Sequence, residues 1–289
     1  MDEINGLDKK NRLHHRYLQE YKNKRDNVLS GGINCIPSPL KRFRREFPGI
    51  ERAKNYIVTA NSKVGKTQIT DYLFVLSVLM YAYNNPDKIK VKILYFSLEM
   101  SIQEKMSQWT CFWLYMHTSG RIRIDTKQLN SLNEEKPLST EVLELMESKE
   151  YNKFFDFLED CIIFNETDRS PSSIYNKSID FALRHGQIKY KNEVIKVKES
   201  KFNPETSLME DVYVEKVVRE EDRYIPNDPD LYIIKLTDHV SLFEHEKGMN
   251  LRDTMTVASA QYNVRLRNIY GFTNVDIQQQ AAKYKIHWQ

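Results

Sequence analysis

Cysteine is scarce in this chain: three in 289 residues, Cys35, Cys111 and Cys161, far apart and odd in number. That excludes a disulfide framework and any spaced zinc motif, and it implies a reducing, cytoplasmic setting. Long apolar runs are missing too. No stretch approaches the roughly 18–20 residues of a membrane span, so no membrane partner is expected. The opening MDEINGLDKKNRLHHRYLQEYKNKRDNVLS has no apolar h-region, which excludes a secretory signal. No internal repeat is found. Charge of one sign is barely in excess, at a formal +3. That balance neither demands nor excludes nucleic acid, because a basic stripe can sit within a near-neutral total.

What is present is an ordinary globular composition, 40% hydrophobic and 29% charged, in a chain long enough to bury a core. Residues 1–30 read as a charged helix or arm, ended by SGG at 30–32. Pro37, Pro39 and Pro48 break up the lead-in that follows. From there strands and helices alternate. NYIVTA, VKILYFSLEM, CIIFNET, DLYIIKLTDHVSL and FTNVDIQQQ read as strands, with helical patterns between them. This order implies a largely parallel sheet. Residues 188–228 differ: two partly alternating segments flank FNPETS and predict a β-hairpin inserted in the domain.

The chemistry starts at YIVTANSKVGKTQITDYL, residues 56–73. The phosphate-loop pattern G-x-x-x-x-G-K-[ST] is met by Ala60-Asn61-Ser62-Lys63-Val64-Gly65-Lys66-Thr67 at every position but the first. Alanine is the smallest replacement for that glycine. Loop amides, from Asn61 through Gln68, would cradle phosphates at a helix N-terminus. Lys66 would reach the β- and γ-phosphates, and the Thr67 hydroxyl would ligate Mg²⁺. A chance Gly-Lys-Thr is the competing reading. A strand before the loop and a helix after it weigh against chance.

Two acids narrow the function. Glu99 ends the apolar strand ILYFSLEMS, at the sheet edge where ligands collect. There it could activate a water; otherwise it merely favours a helix dipole. Asp238 ends LYIIKLTDHVSL, as a Mg²⁺-holding carboxylate would. Lys235 is out of place in that apolar run. It either snorkels to a sheet edge or marks a shifted strand.

These residues resemble a family. FSLEMS is similar to the matching segment of DnaB-type replicative helicases, the RecA-like hexameric motors. TDHVSL resembles the second Walker motif of phage primase-helicases, GINCIPSPLKRF…PGI their lead-in, and RNIYGFTNVDIQQQ their sensor strand. The resemblance runs in order from about residue 31 to 282. It implies a RecA-like P-loop NTPase: an α/β domain over 31–289, with a mostly parallel sheet flanked by helices and the hairpin as an insertion. It further implies ATP and Mg²⁺ as cofactors, Lys66 and Thr67 on the phosphates and metal, Glu99 as general base and Asp238 as the Walker B acid. Gln279, with Gln278 beside it, would be the γ-phosphate sensor. Single-stranded DNA, a homo-hexameric ring and a primase or other replisome protein would be the partners. The setting would be the cytoplasm, that of a host if the source is a bacteriophage.

The pattern also departs from the family. No N-terminal or primase domain precedes the lead-in, and the arginine finger and the C-terminal part of the domain are expected beyond Gln289. Alternatives therefore stand: a non-unwinding RecA-like ATPase, such as a recombination mediator or helicase loader; a nucleotide-binding interaction module; or, more weakly, a small-molecule kinase. Among the other features, the hairpin's Lys189, Lys191, Lys196, Lys198 and Lys201 offer DNA contact or a solvated face. KRFRREF offers base stacking, or more readily an interface or core. Trp109, Phe112 and Trp113 read as core by their helical spacing. His14 and His15 have no metal partner motif, and His239, following Asp238, offers the edge of the site or, equally, a structural hydrogen bond.

Overall fold

A computed structural model of the chain describes residues 13–61, 63–132, 134–203 and 208–279. Five strands make the central sheet: β3 (Asn55–Ala60), β4 (Lys90–Ser97), β5 (Ile162–Asn165), β8 (Leu231–Asp238) and β9 (Thr273–Gln279). Before them, β1 (Cys35–Pro37) and β2 (Gly49–Glu51) form a short antiparallel pair. The sheet order is β3-β9-β8-β4-β5 and every pairing is parallel. Crossovers are helical. A continuous helix over 66–84 comprises α2 (Lys66–Asp71), a π-helical turn (Tyr72–Leu76) and α3 (Ser77–Asn84). After β4 come α4 (Ile102–His117), α5 (Thr126–Leu129), α6 (Thr140–Met146) and α7 (Lys149–Cys161). Then α8 (Pro171–His185) leads to the hairpin. The last helix holds α9 (Leu251–Val257), a π-helical stretch (Ala258–Asn263) and α10 (Val264–Asn268). The charged segment α1 (Leu13–Leu29) stands N-terminal to all of these.

Helices cover both faces, which is why the strands read as nearly unbroken apolar runs. Ile93, Tyr95, Ile234, Leu236 and Val275 face one core with Phe74, Leu79, Trp109 and Leu158. Leu94, Phe96 and Ile233 face the other, against Ile174, Phe181 and Leu266. Trp109 and Trp113 are buried, and Phe112 packs against the same core, its ring 5.3 Å from that of Tyr72. Phe47 of the KRFRREF stretch packs on Tyr56 and Phe74 at the core, while Phe43 beside it is 45% exposed.

Lys235 neither snorkels nor marks a shifted strand. It lies 3% exposed in β8, where its ammonium meets Asp276 Oδ1 at 2.9 Å and Asn263 Oδ1 at 2.8 Å. Asn263 also donates to Asp276 Oδ2, so the misfit cation is satisfied from the neighbouring strand and the last helix.

The hairpin spans 186–226, two residues N-terminal of the 188–228 expected from sequence. β6 (Gly186–Asn203) and β7 (Leu208–Pro226) pair antiparallel from Gly186↔Pro226 to Asn203↔Leu208, with a bulge at the Lys189/Tyr190 step. At about 3.3 Å per residue the ribbon reaches roughly 60 Å. Most of its lysines are interleaved with acids, although Lys189 faces Arg223. Lys191 faces Glu220, Lys196 faces Glu215, and Lys198 meets Asp211 at 2.7 Å. Lys216 meets Glu199 at 2.6 Å. Opposite charges across the ladder neutralise one another.

Candidate nucleotide site

The carboxyl ends of β3, β9, β8 and β4 gather the candidate residues at one sheet edge, as parallel topology requires. The loop after β3 turns through Lys63 at φ 62° and Gly65 at φ 83°. Gly65 is the N-cap of α2 and takes the left-handed conformation that glycine adopts without penalty. Its carbonyl accepts from Ile69 N–H at 3.0 Å, starting the helix. The Lys66 ammonium folds back to the Asn61 carbonyl at 2.9 Å, across the loop that would receive phosphates. Asn61, Lys63, Val64 and Gln68 are exposed. Ser62 lies outside the described residues.

Thr67 occupies the first turn of α2, and its hydroxyl donates to Asp238 Oδ1 at 3.3 Å. Asp238 itself is fully buried. A hydroxyl and a carboxylate meeting at a helix N-terminus are hard oxygen donors. They fit Mg²⁺, which takes one or two protein oxygens and completes its shell with water and phosphate. Among the described residues no three His, Cys, Asp or Glu side chains cluster as an all-protein metal cage. The cation would therefore depend on nucleotide oxygens as well.

Glu99 lies two residues beyond β4, exposed, with no hydrogen bond or ion pair among the described residues. It does not cap α4. That task falls to Ser101 and Glu104, whose reciprocal bonds form a capping box. Glu99 is thus left free at the edge. The ends of β4 and β8 are tied by Leu98 N–H to the Asp238 carbonyl at 2.5 Å. His239 follows Asp238. Burial lowers its pKa, Asp238 and Glu99 oppose that shift, and Lys66 reinforces it. The His239 Nδ1 shares a hydrogen with Ser241 Oγ. Gln279 pairs in register with Ala60 and Gln278 with Thr59, so the end of β9 runs beside the start of the loop. Gln278 lines a cavity of about 660 Å³ together with Ile57, Met255 and Asp276.

Sequence reasoning missed a buried cluster directly behind Asp238. Asp71, four residues after Thr67, lies on the same side of the helix. Its Oδ1 accepts from Tyr95 OH at 2.7 Å, and its Oδ2 accepts from Trp109 Nε1 and Lys105 Nζ, both at 3.1 Å. Lys105 Nζ also donates to Asp238 Oδ2 at 2.8 Å. Burial raises the Asp71 pKa, opposed chiefly by Lys105, and pushes the Tyr95 phenol far up. The available signal was periodicity: Lys105 shares its helix face with the core residue Trp109, where an unpaired cation does not belong.

No family model matches the chain, and no curated protein matches it. By structure the chain is similar to a DnaB-like replicative helicase described together with its interactions with primase. The TM-score is 0.54 and the identity 13%, and the match covers 93% of this chain but 48% of that one. The likeness is one of fold: a parallel five-stranded sheet flanked by helices, the RecA-like α/β architecture.

Proposed function

We propose that this chain is the motor domain of an ATP-dependent DNA helicase of the DnaB type. The observation that carries the reading is the meeting of Thr67 and Asp238 at 3.3 Å beside the Lys66 loop, with Glu99 free at the same edge. Loop amides and Lys66 hold the phosphates of ATP, and Thr67 and Asp238 hold Mg²⁺. When bound, Mg²⁺ would offset charge developing on the transferred phosphoryl group. Glu99 orients the attacking water and takes its proton. Gln279, from the strand paired to the loop, senses the γ-phosphate. The domain over 31–289 works in a homo-hexameric ring that moves along single-stranded DNA, with primase as a plausible neighbour by analogy to the similar helicase.

The test is ATP hydrolysis by the purified chain, with and without single-stranded DNA, beside Glu99→Gln and Lys66→Ala. DNA-stimulated turnover lost in both variants supports a motor. ATP binding that depends on Lys66, with no hydrolysis even with DNA present, sinks the motor reading for this chain and leaves a nucleotide-binding interaction module.

A further inference from the structure

The two oxygens of Asp238 serve different neighbours. Oδ1 faces Thr67 Oγ1 at 3.3 Å; Oδ2 faces Lys105 Nζ at 2.8 Å and Tyr95 OH at 3.4 Å. Lys105 has three N–H donors. They are taken up by Asp238 Oδ2, Asp71 Oδ2 at 3.1 Å and Tyr95 OH at 2.5 Å. Asp71 is itself pinned by Trp109 and Tyr95, so the ammonium has no other position to adopt. The Lys105 and Asp238 side chains are wholly buried, and Asp71 is 3% exposed.

Stability alone does not account for this arrangement. A buried ion cluster is frequently no better than apolar residues of equal volume, because desolvation offsets the attraction. What the cluster does supply is a fixed direction for one carboxylate. We propose that Lys105 is a positioning residue of the nucleotide site. By holding Oδ2 of Asp238, it leaves Oδ1 as the single oxygen presented, with Thr67, to the divalent cation. The inference rests on the nucleotide-site reading above. Groups that orient a metal-bound carboxylate typically matter 10–100-fold in metal affinity.

The experiment titrates Mg²⁺ against binding of a fluorescent ATP analogue to the full chain. It compares wild type, Lys105→Met, and the double variant Lys105→Met with Asp71→Asn. The double variant removes one charge of each sign, so it keeps the buried charge balance and stays folded where the single variant does not. Folding is checked by circular dichroism. The Mg²⁺ midpoint is expected to rise roughly 10–100-fold in the double variant, while affinity in EDTA stays within about twofold. A midpoint that is unchanged shows Lys105 to be structural only. A midpoint that falls shows it competing with the cation. Either result overturns the proposal. Failure of the underlying reading looks different: wild type then binds no analogue, with or without Mg²⁺.

Discussion

The same pair of chemical groups, lysine and carboxylate, is used in opposite ways at two ends of the molecule. Behind the nucleotide edge, Lys105 with Asp71 and Asp238, and Lys235 with Asp276, sit within the two cores at no more than 7% side-chain exposure. Along the hairpin, the side chains of Lys196–Glu215, Lys198–Asp211 and Lys216–Glu199 are 33% to 71% exposed. Buried groups have no water to fall back on. Each one fixes its partner's position, and removing either leaves a charge stranded. Exposed pairs exchange their partner for water and are screened within about 10 Å at 0.1 M salt. The first kind therefore specifies geometry. The second leaves the ribbon near-neutral without holding it in one shape.

The largest effect expected from this contrast is at Lys235. Lys235→Met strands Asp276 between two strands and a helix, and should cost about 3–5 kcal/mol in urea unfolding. Adding Asp276→Asn should restore most of that loss. The matching surface change, Lys198→Met, should leave the urea midpoint where it was. Equal losses at the two lysines would erase the distinction between the regions.

Much of this architecture is legible in the sequence because a parallel sheet writes its own signature. Runs such as ILYFS and LYIIKLTD are apolar because both faces are covered, and each ends in a polar residue where the strand reaches the carboxyl edge of the sheet. Hence the positions of Lys66, Thr67, Glu99 and Asp238 follow from pattern alone. Pairing across elements is not written that way. Asp71 and Lys105 are 34 residues apart and meet only because α2 and α4 pack on one sheet face. Lys235 was visible as a misfit, but its remedy, Asp276, lies 41 residues on in a different strand. The hairpin's lysines read as DNA contacts or as a solvated face, because linear order hides which carboxylate each one faces across the strands. The fold places Glu215 opposite Lys196.

A middle-sized effect separates the regions by hydroxyl rather than by charge. Tyr95 OH donates to Asp71 and accepts from Lys105 inside the core. Tyr95→Phe leaves both with one fewer partner and no water to replace it, so about 1–3 kcal/mol should be lost in the same unfolding assay. Tyr213, 68% exposed on the ribbon, should tolerate Tyr213→Phe without a measurable shift. A loss at Tyr213 as large as that at Tyr95 would mean the ribbon face is packed in solution, by a second copy or a partner.

The smallest effect is the sharpest statement about the ribbon. Its ties to the body lie at the base: Tyr224 N–H donates to the Ile269 carbonyl at 2.9 Å, while Arg265 and Tyr270 both hold Glu221. Beyond that base, among the described residues, the two strands hydrogen-bond and ion-pair with each other, and a two-stranded ribbon alone is marginally stable in water. Replacing residues 192–219 by an Asn-Gly turn keeps Ile188, Glu221 and Tyr224, and closes the hairpin on the Lys191–Glu220 pair. The thermal midpoint and the nucleotide affinity of this variant should match those of the full chain, because neither core nor any residue of the loop edge is touched. A lost midpoint would show the distal ribbon folded back on the body. Lost DNA-stimulated turnover with nucleotide binding intact would instead assign the ribbon to the work done on the strand. Its interleaved charge, with Lys196, Lys198 and Lys216 each facing a carboxylate, weakens the pull on backbone phosphate, so the expected outcome is unchanged turnover.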